Sequence, residues 1–253
     1  MKKAAALLLG STLLLASCNS TPSTPQPETV SGQVKELSAS PSGTITYSSW
    51  TGGAGKVLVS VEGKDNLVTA DLTADGRFSL TLPSLDAALL SNLDLTSDLP
   101  EGCTGSLTTS GASNARGNVA TFRVQAGKSG EIAPAGFQVR TSGGTLESVS
   151  MEGGLYVYAD KAAGLSGRLN CTQDGVPVTG NINVQLQAGW NKMTLTLSAT
   201  KQGGTLSLKT GSLPAQWLYL ENDSALSLGQ QSLNRSAAAQ PVLKVAQALP
   251  FFR

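Results

Sequence analysis

The sequence predicts an all-β fold made of two small antiparallel β-sandwich domains joined by a short helix. Three observations support it. Apolar and polar residues alternate with a period of two in many short segments, as in strands with one buried face. The 28 glycines fall largely between those segments, where turns are expected. Only 14% of the residues are charged and 5% aromatic, which is typical of short strands with an uncharged polar surface.

The first 17 residues have the features of a signal peptide. Lys2 and Lys3 precede an apolar run, Ala4 to Ala16, that is too short to span a bilayer core of about 30 Å comfortably. The run ends in Leu15-Ala16-Ser17-Cys18, which resembles the lipobox of bacterial lipoproteins. That resemblance implies cleavage after residue 17 and lipidation of Cys18 as the first mature residue. The alternative is an ordinary secretory signal with a chance cysteine.

Residues 18–29 are expected to form a flexible tether after the lipidated cysteine. The segment Asn19 to Thr29 contains three prolines and no apolar residue to bury. At ~3.1 Å per residue it would hold the folded part up to ~35 Å from the membrane. The expected partner is therefore a membrane, reached through Cys18, and the expected location is extracytoplasmic. By resemblance to lipoprotein sorting in two-membrane bacteria, a residue other than Asp at position 19, here Asn19, permits export to the outer membrane. In a single-membrane host the anchor would lie in the cell membrane.

The first predicted sandwich covers residues 30–83. Strands are predicted at Val30–Leu37, Thr44–Ser48, Lys56–Glu62, Leu67–Thr73 and Arg77–Leu82, with Asp75-Gly76 as a hairpin turn. Three runs resemble the carboxypeptidase-regulatory-like family: Val30 to Val34, Lys56 to Val61 and Thr73 to Leu80. The resemblance implies a transthyretin-like sandwich that accompanies other domains and usually carries no catalysis.

A connector at 84–102 is expected to contain a short helix over Ser84–Leu93. Ser84 suits a cap, and Leu85, Ala88, Leu89 and Leu93 share one helical face.

The second predicted sandwich covers residues 103–222. Its clearest strands are Leu155–Ala159, Leu165–Cys171, Ile182–Gln187 and Met193–Ala199. A low-complexity tail, 223–253, follows, with a short helix predicted around Val242, Val245, Ala246 and Leu249. The tail ends in two phenylalanines, Phe251 and Phe252. We expect this tail to dock on its own protein, and partner binding is the alternative.

Cys103 and Cys171 remain once Cys18 is assigned to the anchor. In an oxidising compartment we expect them to form a disulfide closing a loop of about 68 residues, which the chain-entropy model values at ~4 kcal/mol. The alternative is two unpaired buried thiols.

The chain has no histidine, which excludes Ser-His and Cys-His nucleophiles and most zinc or copper sites. No metal or cofactor is expected.

Loss of residues 1–17 leaves 16 basic against 17 acidic residues, a net charge of −1, with no basic stripe to bind nucleic acid. Paired carboxylates are the remaining route to hydrolysis, and Glu147, Glu152 and Asp160 are the closest group in sequence.

The candidate ligand-binding residues are aromatic. Tyr156 and Tyr158 lie two apart on one strand and therefore face the same way, and Trp190 lies at a predicted turn. These rings are either a stacking platform for sugars or part of a sandwich core.

The sequence thus predicts a lipid-anchored cell-envelope protein with a non-enzymatic binding or scaffolding role, whose partner is another envelope protein or a glycan. A glycan-binding module is the alternative, and a carboxylate-dependent hydrolase is a weaker one.

Overall fold

A computed structural model describes residues 27–39, 45–93, 95, 98–142, 145–220 and 244–247. The prediction of an all-β fold is confirmed, since most of these residues lie in strands and the described helical segments are single turns. The signal peptide, Cys18 and most of the tether lie outside the described residues.

The described residues contain fifteen strands in chain order. They are β1 Glu28–Ala39, β2 Ile45–Ser49, β3 Gly55–Val61, β4 Lys64–Leu72, β5 Arg77–Leu82, β6 Ser91–Asn92, β7 Cys103–Gly111, β8 Arg116–Gln125, β9 Ser129–Ser142, β10 Thr145–Ala159, β11 Ala163–Gln173, β12 Val176–Leu186, β13 Gly189–Thr200, β14 Gly204–Thr210 and β15 Trp217–Leu220. A 3₁₀ turn at Ala87–Leu89 and a helical turn at 244–247 are the helical parts of the described chain.

The first sheet runs in the order β2-β1-β15-β9-β8-β3-β4. Strand β1 changes partners along its length: Glu28 to Gln33 pair with β5, whereas residues from Val34 onward pair with β15 and β2. The two halves of β1 therefore belong to two layers that enclose one core.

The second sheet runs in the order β8-β10-β13-β14-β12-β11-β7. Its ladders are antiparallel except for β12–β14, which is parallel. Strands β8 and β9 extend from the first sheet into pairings with β10, so the two sheets are continuous.

Two main clusters of buried side chains lie on opposite faces of β10. We call the first the aromatic core, because it holds Trp50, Phe78, Phe122, Tyr156, Tyr158, Trp217 and Tyr219 among its members. We call the second the aliphatic core, built around Val157, Leu165, Leu169, Ile182, Val184, Met193, Leu197 and Leu208. Successive β10 residues point to opposite faces and so contribute alternately to the two cores.

Backbone ladders cross the predicted boundary between the sandwiches of 30–83 and 103–222. Strand β3 pairs with β8, with Val57 opposite Val124, and β1 pairs with β15, with Val34 opposite Trp217. The division into two domains stays a prediction, and any separation of them would have to break these ladders.

The predicted connector helix over Ser84–Leu93 is a single 3₁₀ turn followed by the short strand β6. The carbonyl groups that a longer helix would use are bound by side chains of β8. Asn118 Nδ2 donates to Leu89 O (2.6 Å), and the Arg116 guanidinium donates to Ala87 O (3.0 Å) and Leu90 O. Tertiary hydrogen bonds therefore replace the helical ones that periodicity favours.

The helical turn at 244–247 docks on the body. Val245 and Ala246 are buried in the aliphatic core, and Lys244 Nζ lies 2.7 Å from Asp174 Oδ2. Val242 and Leu249, the other apolar residues of the predicted tail helix, lie outside the described residues.

Candidate functional site

The start of β1 shows where the tether joins the body. Glu28 Oε1 lies 2.6 Å from Lys192 Nζ on β13. The β13 residues Thr194, Thr196 and Ser198 alternate in step with Lys192 and so share its face of the second sheet. The tether therefore reaches the body at one end of that face.

Tyr156 and Tyr158, two of the candidate ligand-binding residues, lie in the aromatic core. They are 5% and 4% exposed. The Tyr156 ring is stacked on Trp217 with centroids 6.2 Å apart, and the Tyr158 ring meets Trp190 edge-on at 5.3 Å. These contacts match the core interpretation of the tyrosine pair, and neither ring presents a face to solvent.

Trp190, the third candidate, is half-buried against the same core. Its indole Nε1 donates to Pro83 O at 2.7 Å. This bond fastens the start of β13 to the residue that follows β5, so Trp190 ties the second sheet to the layer formed by β5 and the first half of β1, as well as packing on Tyr158.

The Cys103–Cys171 disulfide is present, with the Cα atoms 3.9 Å apart. Cys103 begins β7, and Cys171 lies directly opposite it near the end of β11. The bond thus fastens an edge strand, β7, to its single ladder partner among the described strands.

The three candidate carboxylates follow one another along β10 or just beyond it and do not converge. At ~3.3 Å per residue, Glu147 and Glu152 are about 16 Å apart and Glu152 and Asp160 about 26 Å. A pair of glycosidase acids needs a separation of ~5–9.5 Å. Asp160 accepts a hydrogen bond from Arg116 N (2.8 Å) and has a structural partner in the start of β8. Among the described residues, no group of three or more His, Cys, Asp or Glu side chains is placed to hold a metal ion.

Glu36 is the most strongly engaged carboxylate of the first sheet. Burial opposes its ionisation, but hydrogen bonds from Lys128 Nζ (2.8 Å) and from Thr51 N (2.8 Å) and Oγ1 (2.7 Å) outweigh that and lower its pKa. Lys128 belongs to the β8–β9 hairpin turn, so this group ties that turn to β1. Its arrangement is structural.

Burial also affects Tyr156, whose pKa is raised to about 12, with a smaller contribution from the negative charge of Glu28. The phenol is therefore neutral at physiological pH.

Sequence reasoning missed the broadest surface feature, which we call the polar face. It lies on the outer side of the second sheet, opposite the aliphatic core, where residues paired across neighbouring strands point the same way. One row crosses seven strands with no charge: Thr104, Asn170, Thr179, Thr205, Ser198, Ser150 and Gln138.

A second row lies about 7 Å along the strands. It contains Ser106, Arg168, Asn181, Ser207, Thr196 and Glu152, so its two charges stand near opposite ends. Between the rows is a shallow depression of about 420 Å³, lined by side chains such as Asn170, Thr179, Asn181 and Thr205.

The signal for this face is present in β12, where Val178, Ile182, Val184 and Leu186 alternate with Thr179, Asn181, Asn183 and Gln185. The apolar half of that pattern predicts a strand, and the polar half predicts a face rich in donors and acceptors. Which strands lie side by side, and so whether the face is continuous, depends on long-range pairing that the pattern does not contain.

Hydroxyl and amide groups arranged in this way can donate and accept hydrogen bonds, but they do not titrate near neutral pH. The described residues also contain no helix long and apolar enough to cross a bilayer. No protein-family model, curated protein or solved structure matches the chain.

Proposed function

We propose that this is a lipid-anchored protein of the bacterial cell envelope with a non-enzymatic binding or scaffolding role. The anchoring part is supported by the Leu15-Ala16-Ser17-Cys18 sequence and by the proline-containing tether after it. The folded body begins at Glu28, ten residues after Cys18, which gives a spacing of about 31 Å for an extended tether. Several acyl chains on Cys18 would make the attachment stable.

The observation that carries the binding role is the polar face. It offers side-chain donors and acceptors across seven strands, and most of those side chains are exposed. Because the backbone of these groups is already ordered in the sheet, binding carries no backbone ordering cost. The two rows of the polar face carry one positive and one negative charge, Arg168 and Glu152, which favours an uncharged polar surface on another envelope component over an anionic one.

The anchor is tested on the full chain expressed in a bacterial host with an alkyne-tagged fatty acid. We expect label on the wild-type chain and a mature N-terminus at an acylated Cys18, found by mass spectrometry. Cys18→Ala should lose the label and stay unprocessed. A mature chain that begins elsewhere and carries no acyl group would contradict the proposal.

The binding role is tested with a photo-crosslinking amino acid placed at Thr179, in the polar face, in intact cells. Thr81 on β5 is the matched control, because it is also an exposed strand threonine but lies on a strand that pairs with β1 and does not contribute to the polar face. We expect a discrete adduct from position 179 and none from 81. Adducts of equal yield from both positions, or none from 179, would argue against the polar face.

A glycan-binding role is a second candidate, and the polar face is the observation that favours it. Neutral sugars present hydroxyl groups that pair with Thr, Ser and Asn side chains, whereas the rings of Tyr156 and Tyr158 are buried and offer no stacking surface. Co-sedimentation with isolated cell-wall glycan tests it, with Thr179→Lys against Thr81→Lys as the paired variants. We expect only Thr179→Lys to release the protein. The weaker hydrolase hypothesis gains no support from the separated carboxylates.

A further inference from the structure

Among the described strands, β7 forms an edge of the second sheet and lacks the usual protection against strand addition. In natural proteins, charges, prolines, bulges or a short length prevent edge strands from pairing with strands of other chains. Over its nine residues β7 carries no charge and no proline. Three other described strands longer than two residues have one ladder partner, and each has one of these protections. Strand β4 carries Lys64, Asp65 and Asp71, and β5 carries Arg77. Strand β2 is short, with five residues.

The ladder between β7 and β11 fixes which backbone groups of β7 point outward. Thr172 N donates to Gly102 O and Ala112 N donates to Ala162 O, which places the even-numbered residues of β7 in bonds to β11. In an antiparallel ladder the hydrogen-bonded and non-hydrogen-bonded positions alternate. The N–H and C=O groups of Leu107 and Thr109 therefore face away from the sheet.

We propose that β7 binds β7 of a second copy of this chain, antiparallel, so that the two second sheets form one continuous sheet. In the two-fold register centred on Thr108, Leu107 lies opposite Thr109 of the other copy and exchanges backbone hydrogen bonds with it. Thr108 then lies opposite itself, and Ser106 lies opposite Ser110. The outward groups of both copies match, as a two-fold interface requires.

The charges around β7 agree with a second copy as the occupant. A strongly acidic or basic partner strand would find no opposite charge on β7. The nearest charged residue on the polar face is Arg168 on β11. In the dimer the two Arg168 residues lie three strand spacings apart across the sheet, about 14 Å, and four residues apart along it, about 13 Å. Their separation of about 20 Å exceeds the screening length of ~8 Å at physiological ionic strength. On this face the hydroxyl-bearing residues of one copy therefore lie opposite hydroxyl-bearing residues of the other, without like-charge repulsion.

The disulfide orders the edge strand β7 before it binds a partner. Cys103–Cys171 holds the first residue of β7 on the sheet, so little further ordering of the strand is needed on association. Dimerisation would also place two polar faces on the same side of the joined sheet, because a two-fold axis perpendicular to a sheet preserves its faces.

The proposal is tested by disulfide trapping with Thr108→Cys in the full chain in its membrane. Across a non-hydrogen-bonded antiparallel pair, two cysteines come within the Cα range of a disulfide. We expect a covalent dimer on a non-reducing gel after mild oxidation. Thr179→Cys, also exposed on the same face but on β12, two strands inward from β7, should give none. No dimer from Thr108→Cys, or equal dimer from both variants, overturns the proposal.

A charge-swap experiment provides an independent readout with the purified full chain in detergent. Thr108→Lys or Thr108→Glu alone should weaken dimerisation about fivefold, because like charges then lie directly opposite, and an equimolar mixture should restore it. Sedimentation velocity measures both effects. A wild-type chain that stays monomeric, or a mixture no more associated than either variant, would overturn the proposal and leave the anchoring at Cys18 unaffected.

Discussion

Tyr156 and Val157 are neighbours on β10, yet their side chains lie in two different cores. The Tyr156 ring packs against Phe122 and Trp217 in the aromatic core, while Val157 is 1% exposed in the aliphatic core on the other face of the strand. Strand β10 thus separates the aromatic core from the aliphatic core and contributes side chains to both. A change in either core is expected to be felt in both.

Val157→Ala tests this coupling. Removing two buried carbon atoms should cost about 2–3 kcal/mol in the free energy of unfolding. All three tryptophans, Trp50, Trp190 and Trp217, lie in or against the aromatic core, which the substitution does not touch. We expect the urea transition followed by tryptophan fluorescence to shift as far as the one followed by circular dichroism. A fluorescence transition that stays in place would show that the two cores unfold separately.

Asn118→Ala should be among the most destabilising polar substitutions. Asn118 is 6% exposed, and its side chain bonds Glu62 N and O, Val119 N and Leu89 O. Truncation leaves these backbone groups without that partner, at a cost of about 2–4 kcal/mol. Asn181→Ala on the exposed polar face is the control and should change the unfolding free energy by no more than about 0.5 kcal/mol. Similar losses in both variants, measured by urea denaturation, would contradict the structural role of Asn118.

Replacing both cysteines of the disulfide, as Cys103→Ser with Cys171→Ser, should lower the unfolding free energy by about 2–4 kcal/mol. The sequence separation of 68 residues makes the closed loop long, so the unfolded chain gains considerable freedom when the bond is absent. Reduction of the wild-type chain should produce the same loss. A double variant as stable as the oxidised wild type would mean that the bond contributes nothing to stability.

Acidification should weaken the contact of Glu36 with Lys128. The pKa of Glu36 is lower in the folded chain than the ordinary value of 4.5, so its stabilising contribution is complete above that value. It is lost as pH falls through the lower folded pKa. We expect Glu36→Gln to reduce stability near pH 7 by an amount on the order of 1 kcal/mol, and to differ less and less from wild type towards pH 3. Urea denaturation across pH 3–7 measures this difference, and a gap that is independent of pH would count against it.

Strands with strict alternation are the part of the fold that local sequence predicts well. Phe78, Leu80 and Leu82 predict β5 at its observed bounds, because one face of the strand is buried and the other exposed. Strand β7 is missed, since Leu107 is its single buried residue and the strand is held by pairing and by Cys103. Hydrophobic alternation cannot reveal a strand that buries so little.

The connector shows a different limit. Leu85 and Leu90 are both buried, and their spacing of five does not place them on one helical face. Their positions are set by Arg116 and Asn118, which reach the segment from β8. The same limit applies to the polar face, where each contributing strand is readable on its own but the order of strands is a property of the whole chain.

Strands β1 and β15, the first and last described strands in chain order, pair side by side. Export under the proposed signal delivers the amino-terminal end first, so β1 emerges long before the neighbour that completes its layer. The second half of β1 would therefore lack its β15 partner until nearly the whole body has crossed the membrane. Completion of this layer would then be a post-translocational event.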